Sequence, residues 1–226
     1  MALAIFDLDN TLIAGDSDHL WGEFLCDRGI VDAAHFRATN DSFFEDYQRG
    51  ELDIAAYAAF ALGPLAGKTP ESVVDLQEEF MATCVEALML PAAQALIDEH
   101  RDRGDRLLII TATNEFVTRP IGRRLGVEEL LGCAVEISDG RFTGRATGTL
   151  TYREGKVTRL REWLEEEQEE LGGATFYSDS HNDLPLLEIV DYPVLVDPDA
   201  KLAAVGRQRN WPGLSLRQGS TPQPLD

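Results

Sequence analysis

The chain has 226 residues, with 40 acids against 20 bases and a formal charge of −20. That balance argues against nucleic acid or an anionic membrane surface as a partner, since both attract basic patches. Hydrophobic residues make up 44% of the chain, enough to bury a core, but no apolar run reaches the ~20 residues that span a bilayer.

The opening MALAIFDLD has no basic segment, so no signal peptide is expected. Ala2 to Phe6 reads as a short buried strand stopped by acids and Asn10. Side chains alternate along a strand, so Asp7 and Asp9 should emerge on one face, about 7 Å apart. Like charges that close ask for a cation, a shared proton or both; the bland alternative is a pair of turn formers.

From Asp16 to Leu90 the apolar pattern is helical, punctuated into about four helices at Gly50, Gly63-Pro64 and Gly67 to Pro70. At Pro91 the pattern changes. A proline-started helix stops at Gly104, and a buried strand follows from Arg106 to Ile110. NEFVTRPIGRRLG reads as a helix whose first turn Pro120 puts in question. CAVEIS and RFTGRA flank the hairpin signal Asp139-Gly140. A helix from Lys156 to Leu171 buries Val157, Leu160, Leu164 and Leu171, and its acidic run REWLEEEQEEL is a solvated face. Strand ATFYS, a short helix around Leu186, strand YPVLV and a helix near Leu202 follow, and GSTPQPLD reads as a loose tail. Cys26, Cys84 and Cys133 are scattered, with no Cys-x-x-Cys, and read as free thiols of a cytoplasmic protein.

Strand-helix alternation after Pro91 argues for an α/β fold: a doubly wound, mostly parallel sheet. The expected division is a core of residues 1–15 and 91–226, with residues 16–90 inserted as a separate helical lobe above the carboxyl ends of the strands. Ligands of open α/β sheets bind there. Other strand ends bring Thr111, Asp179 and Asp183 to the same edge, and Lys156 stands at a helix start nearby. Asp7, Asp9 and Asp179 offer hard oxygen ligands suited to Mg2+. With a hydroxyl from Thr111 and a charge from Lys156, they could stabilise a transferring phosphoryl group.

The motifs DLDNT, IITAT, Gly-Lys and SDSHND together resemble those of haloacid dehalogenase superfamily phosphatases. The first and last are the specific ones. Within the superfamily, FDLDNTLIAGDSDHLWGEFL and TATNEFVTRPI are similar to the subgroup of phosphoserine and histidinol-phosphate phosphatases. The resemblance implies Asp7 as nucleophile, Asp9 as general acid and base, and Thr111 and Lys156 as phosphoryl holders. It implies Mg2+ on Asp7, Asp179 and the main-chain carbonyl of Asp9, with Asp183 supporting Lys156 and Asn114 and Asn182 as further supports. It also implies that the helical insert is a cap of the family's first type. Ser178 stands where many members have glycine.

Asp16, Asp18 and His19 lie where the chain leaves the core, and acids there would attract a cationic amine on a small phosphate ester. Asp16 could equally be a helix cap, and Asp183 likewise. Arg28, Arg37 and Arg49 are the early arginines of the insert, and none is clearly placed to clamp a carboxylate. That favours histidinol phosphate over phosphoserine. Trp21 and Phe24 read as interior of the insert more readily than as a substrate platform. The expected partner is thus a small-molecule phosphate ester, with the protein a monomer or homodimer. A receiver-like phosphoacceptor is the alternative from another class, and it has no use for Asp9 or a helical lobe.

Overall fold

A computed structural model describes residues 2–225. β1 (Leu3–Phe6) is followed by four α-helices: α1 (Ser17–Asp27), α2 (Ala33–Arg49), α3 (Ile54–Leu62) and α4 (Val74–Phe80). A π-helical segment, Met81–Val85, leads towards α5 (Pro91–Asp102). Then come β2 (Arg106–Asn114), α6 (Glu115–Arg124), β3 (Leu130–Ser138), β4 (Arg141–Thr147), α7 (Glu154–Glu167) and β5 (Thr175–Ser178). The chain closes with α8 (Leu184–Leu187), β6 (Tyr192–Val196), α9 (Ala200–Arg209), β7 (Gly213–Ser215) and β8 (Gln223–Pro224). Among the described residues no helix is long and apolar enough to cross a membrane.

The sheet order is β4-β3-β2-β1-β5-β6-β7-β8, parallel from β3 to β7 with antiparallel edges. β1 lies between β2 and β5, so the order reverses at its carboxyl end. That is the switch point at which such sheets open a crevice. Alternation along β1 sends Ala4 and Phe6 to one core layer, and Leu3 and Ile5 to the other. The first layer is shared with the inserted helices: Trp21, Phe24 and Phe80 join Ile97 and Ile109 in one cluster. Trp21 packs at 5.1 Å from the Phe80 ring and 5.4 Å from Phe116, so both early aromatics are interior.

Several boundaries differ from expectation. β2 runs past Ile110 to Asn114 through a register shift. Pro120 sits inside α6 without ending it. Proline cannot bond the carbonyl four residues back, and Gln77 Nε2 from α4 donates to that Phe116 oxygen at 2.6 Å instead. α7 stops at Glu167, where Gln168 turns left-handed, so Leu171 lies beyond the helix; Trp163 joins the buried face. The tail is not loose throughout: Gln223 and Pro224 pair with β7. Asp226, its last residue, lies outside the described residues, as does Met1.

Candidate active site

The carboxyl ends of β1, β2 and β5 carry the polar groups singled out from the sequence. β1 ends at Phe6, so Asp7 and Asp9 sit on the loop just past the strand, not on it. Both line one cavity. Asp7 is buried, and its Oδ1 accepts from Lys156 Nζ at 2.7 Å. Lys156 Nζ also lies 2.7 and 2.9 Å from the two Asp183 oxygens. Lys156 is only 2% exposed, so it is no surface lysine. Burial alone would lower its pKa; the Asp183 and Asp7 carboxylates overcome that and raise it. The turn that delivers it needs Gly155, where an added Cβ would stand 1.9 Å from Leu150 O.

Thr11 ties the first and last motifs together. Its Oγ1 is 3.0 Å from Asp7 Oδ2 and 3.0 Å from Asp179 Oδ1, and it accepts from the Asp179 N–H at 3.1 Å. Burial pushes Asp7 up to about 7, against the pull of Lys156. Asp179 rises well above the usual carboxylate range, through burial first and the Asp7 charge second. Asp183 is not a side-chain cap of α8: its Oδ2 also accepts from Ser178 Oγ at 2.7 Å. The serine at the glycine position thus braces Asp183.

Asp9 is held from three directions. Ser17 N–H donates to its Oδ1 at 2.7 Å, and Thr113 Oγ1 donates to its Oδ2 at 2.8 Å. Thr111 Oγ1 lies 3.4 Å from the same oxygen and accepts from the Thr113 N–H at 3.2 Å. Burial, then the Asp16 charge, pushes Asp9 up to about 6.

The cavity, about 500 Å3 counting its mouth, runs from these residues to the inserted helices. Asp16, Asp18 and His19 all line it. Asp16 also caps α1, accepting from the His19 N–H at 2.8 Å, so capping and lining coexist. Asp18 is buried and accepts from Asn114 Nδ2 at 3.0 Å; Asn114 therefore supports Asp18, not the Asp7 cluster. Burial raises Asp18 well above the usual range, and the Asp16 and Asp9 charges raise it further. Asn182 faces the insert too, donating to Tyr47 O at 3.0 Å and accepting from Tyr152 at 3.1 Å. Arg28, Arg37 and Arg49 pair with acids, and none lines the cavity.

The sequence reading missed Thr11, Thr113 and an aromatic wall. Thr113 follows Thr111 by two on a strand, a spacing that places both on one face. Phe43, Phe44 and Tyr47 recur at helical spacing on α2 and meet Tyr57 of α3 across the cavity. The spacing was visible, but it does not separate a cavity wall from ordinary packing.

A switch-point site of buried carboxylates around one lysine, under an inserted helical segment, is the layout of a phosphatase built on an α/β sheet. The family model of haloacid dehalogenase-like hydrolases matches residues 4–188. A histidinol-phosphatase of Neisseria meningitidis is 46% identical, over 95% of this chain and 99% of that protein. A phosphoserine phosphatase of Mycobacterium tuberculosis is 34% identical, over 93% of this chain and 69% of that protein. A crystal structure of a Bordetella pertussis protein, described as of unknown function, superposes with a TM-score of 0.88 at 42% identity, covering 94% of this chain and 97% of that one. The chain belongs to the haloacid dehalogenase-like hydrolases, and within them it is an enzyme of the phosphatase type.

Proposed function

We propose that the protein is a Mg2+-dependent phosphomonoesterase for a small, amine-bearing phosphate ester, with histidinol phosphate its best candidate. One observation carries the choice of substrate. Asp16 and Asp18 line the cavity next to Asp9, and neither arginine nor lysine is among its lining residues. Buried carboxylates without a cation favour a ligand that brings one, and Tyr47, Tyr57 and two phenylalanines offer aromatic faces to it. Histidinol phosphate carries an amine and an imidazole but no carboxylate. Phosphoserine carries a carboxylate, which would meet these acids. The 46% identical relative named a histidinol-phosphatase supports the same reading.

The donor set fits a hard divalent cation. The Thr11 hydroxyl has one proton to give, yet carboxylate oxygens of Asp7 and Asp179 both lie 3.0 Å from it. Among the described residues no three His, Cys, Asp or Glu side chains gather as a metal cage. Asp7 and Asp179 would hold Mg2+ with the Asp9 carbonyl, and water would complete the shell. When bound, the cation would neutralise charge on the phosphoryl oxygens and keep Asp7 ionised.

An Asp7 carboxylate oxygen attacks phosphorus as the ester P–O bond breaks, leaving an aspartyl-phosphate. The departing alkoxide takes a proton from Asp9, which burial keeps protonated nearer neutrality than a free aspartate. Asp9 then takes a proton from water. The resulting hydroxide attacks phosphorus and breaks its bond to Asp7, giving inorganic phosphate. Lys156 and the Thr111 hydroxyl hold the phosphoryl oxygens. Residues 16–90 act as the cap that closes the site and selects the alcohol. The three free thiols support a cytoplasmic setting.

The test is Mg2+-dependent phosphate release from histidinol phosphate, phosphoserine and phosphoethanolamine, for wild type and Asp18→Asn. The expected kcat/KM preference for histidinol phosphate is about 100-fold or more, and Asp18→Asn should cut its kcat/KM by about 30-fold. A preference for phosphoserine, or an indifferent Asp18→Asn, would overturn the substrate assignment.

A further inference from the structure

The α2 wall of the cavity is fastened to the core through its last turn. The final carbonyls of a helix have no partner within it. Here four in succession accept from core side chains. Asn182 Nδ2 donates to Tyr47 O at 3.0 Å. Lys201 Nζ lies 3.4 Å from Gln48 O and 3.0 Å from Arg49 O. An Arg153 nitrogen donates to Gly50 O at 3.1 Å. Both cations also face the negative end of the α2 dipole. Gly50 ends the helix at φ 79°, and an added Cβ there would stand 3.0 Å from His181 Nε2.

Lys201 is placed for this task. Asp199 Oδ2 lies 2.7 Å from His181 Nδ1, and Asp199 Oδ1 accepts from the Lys201 N–H at 2.8 Å. His181 Nε2 lies 3.2 Å from Lys201 Nζ. In a chain with 40 acids, Lys201 forms no carboxylate ion pair among the described residues; its ammonium goes to one imidazole and two α2 carbonyls. Neither Lys201 nor Arg153 lines the cavity. Tyr47, in the turn they hold, does line it, and its hydroxyl donates to Ser180 Oγ at 3.3 Å.

We propose that Lys201, with Arg153, is a positioning residue that clasps the end of α2 to the core and so fixes the aromatic wall over the reacting groups. The proposal rests on the cavity being the substrate site. It predicts an effect on recognition of an alcohol that reaches the wall, not on bond breaking at phosphorus. Acetyl phosphate lacks the amine and the imidazole that the wall would select and serves as the control.

The experiment uses the full chain as wild type, Lys201→Met/Arg153→Met and Lys201→Arg. Two quantities are read: amide hydrogen exchange over residues 44–50, and kcat and KM for histidinol phosphate and acetyl phosphate. In the double variant, exchange should quicken about tenfold. Its kcat/KM for histidinol phosphate should fall about tenfold, mainly through KM, with acetyl phosphate within about twofold of wild type. Lys201→Arg, which keeps a donor in reach, should stay near wild type in both. Unchanged exchange would overturn the clasp, whatever the activity. Faster exchange with unchanged kinetics, or an equal loss on both substrates, would overturn its positioning role. Exchange needs no substrate, so a wild type inactive on both phosphates would defeat the phosphatase reading while the clasp is still judged by itself.

Discussion

The core side and the inserted-helix side of the site hold their carboxylates differently. At the core end Asp7 and Asp183 share the ammonium of Lys156 within 3 Å. At the cap end Asp16 and Asp18 have, among the described residues, neutral partners: the His19 and Asp18 N–H groups on Asp16, and the Asn114 amide and Tyr57 hydroxyl on Asp18. An interior charge is expensive unless it is paired. The core end supplies its own cation. The cap end supplies no arginine or lysine among the described residues, and under the proposed function that difference separates chemistry from selection. The reacting end needs the same charge balance whatever alcohol leaves. The selecting end is a standing demand for positive charge that a suitable ligand fills.

The sharpest way to test that separation is to remove a group at the core end. Asp7→Asn deletes the proposed nucleophile and should lower phosphate release by about 10,000-fold or more on every substrate, while far-UV circular dichroism stays native. Loss on one ester but not another would mean that the core end also selects. A smaller change probes Asp9. Thr113→Val removes the 2.8 Å hydrogen bond that helps keep Asp9 ionised. With Asp9 as the general acid, kcat should fall about tenfold and the alkaline limb of kcat/KM should move to higher pH. A limb that stays in place would mean that another group titrates there.

The core end was far more legible in the sequence than the cap end, for a physical reason. Asp7, Asp9 and Asp179 follow buried strands and Thr111 lies near the end of one, and a parallel sheet must bring its strand ends to one edge. Asn114 was legible as a polar residue near that edge but not as the partner of Asp18, a contact 96 positions apart in the chain. Asp16 and Asp18 were placed near the pocket from their position after the first motif. The wall opposite them was not, because the spacing of Phe43, Phe44 and Tyr47 suits a buried helix face equally well. The Lys201 contacts were invisible, since helix-end carbonyls leave no mark on the sequence. The same holds for Pro120, whose tolerance inside α6 depends on Gln77 from a distant helix.

The smallest expected effect is on stability, and its direction follows from the proposed Mg2+ site at the core end. In the fold Asp7 is pushed up to about 7 and Asp9 up to about 6, mainly by burial. In the unfolded chain both titrate near 3.9. A carboxyl whose pKa rises on folding binds its proton more tightly in the fold. Its contribution is therefore complete below about pH 4 and is lost as pH rises through about 6 to 7. Metal-free protein should then melt lower at pH 8 than at pH 5, and Asp7→Asn, which cannot titrate, should show a shallower fall. Mg2+ takes the place of the proton, so its addition should raise Tm more at pH 8 than at pH 5. A difference of about 3 °C corresponds to roughly 1 kcal/mol for a domain of this size. Scanning calorimetry at the two pH values, with and without Mg2+, decides the matter. A gain from Mg2+ that is larger at pH 5 would mean that these carboxylates are not where the cation binds.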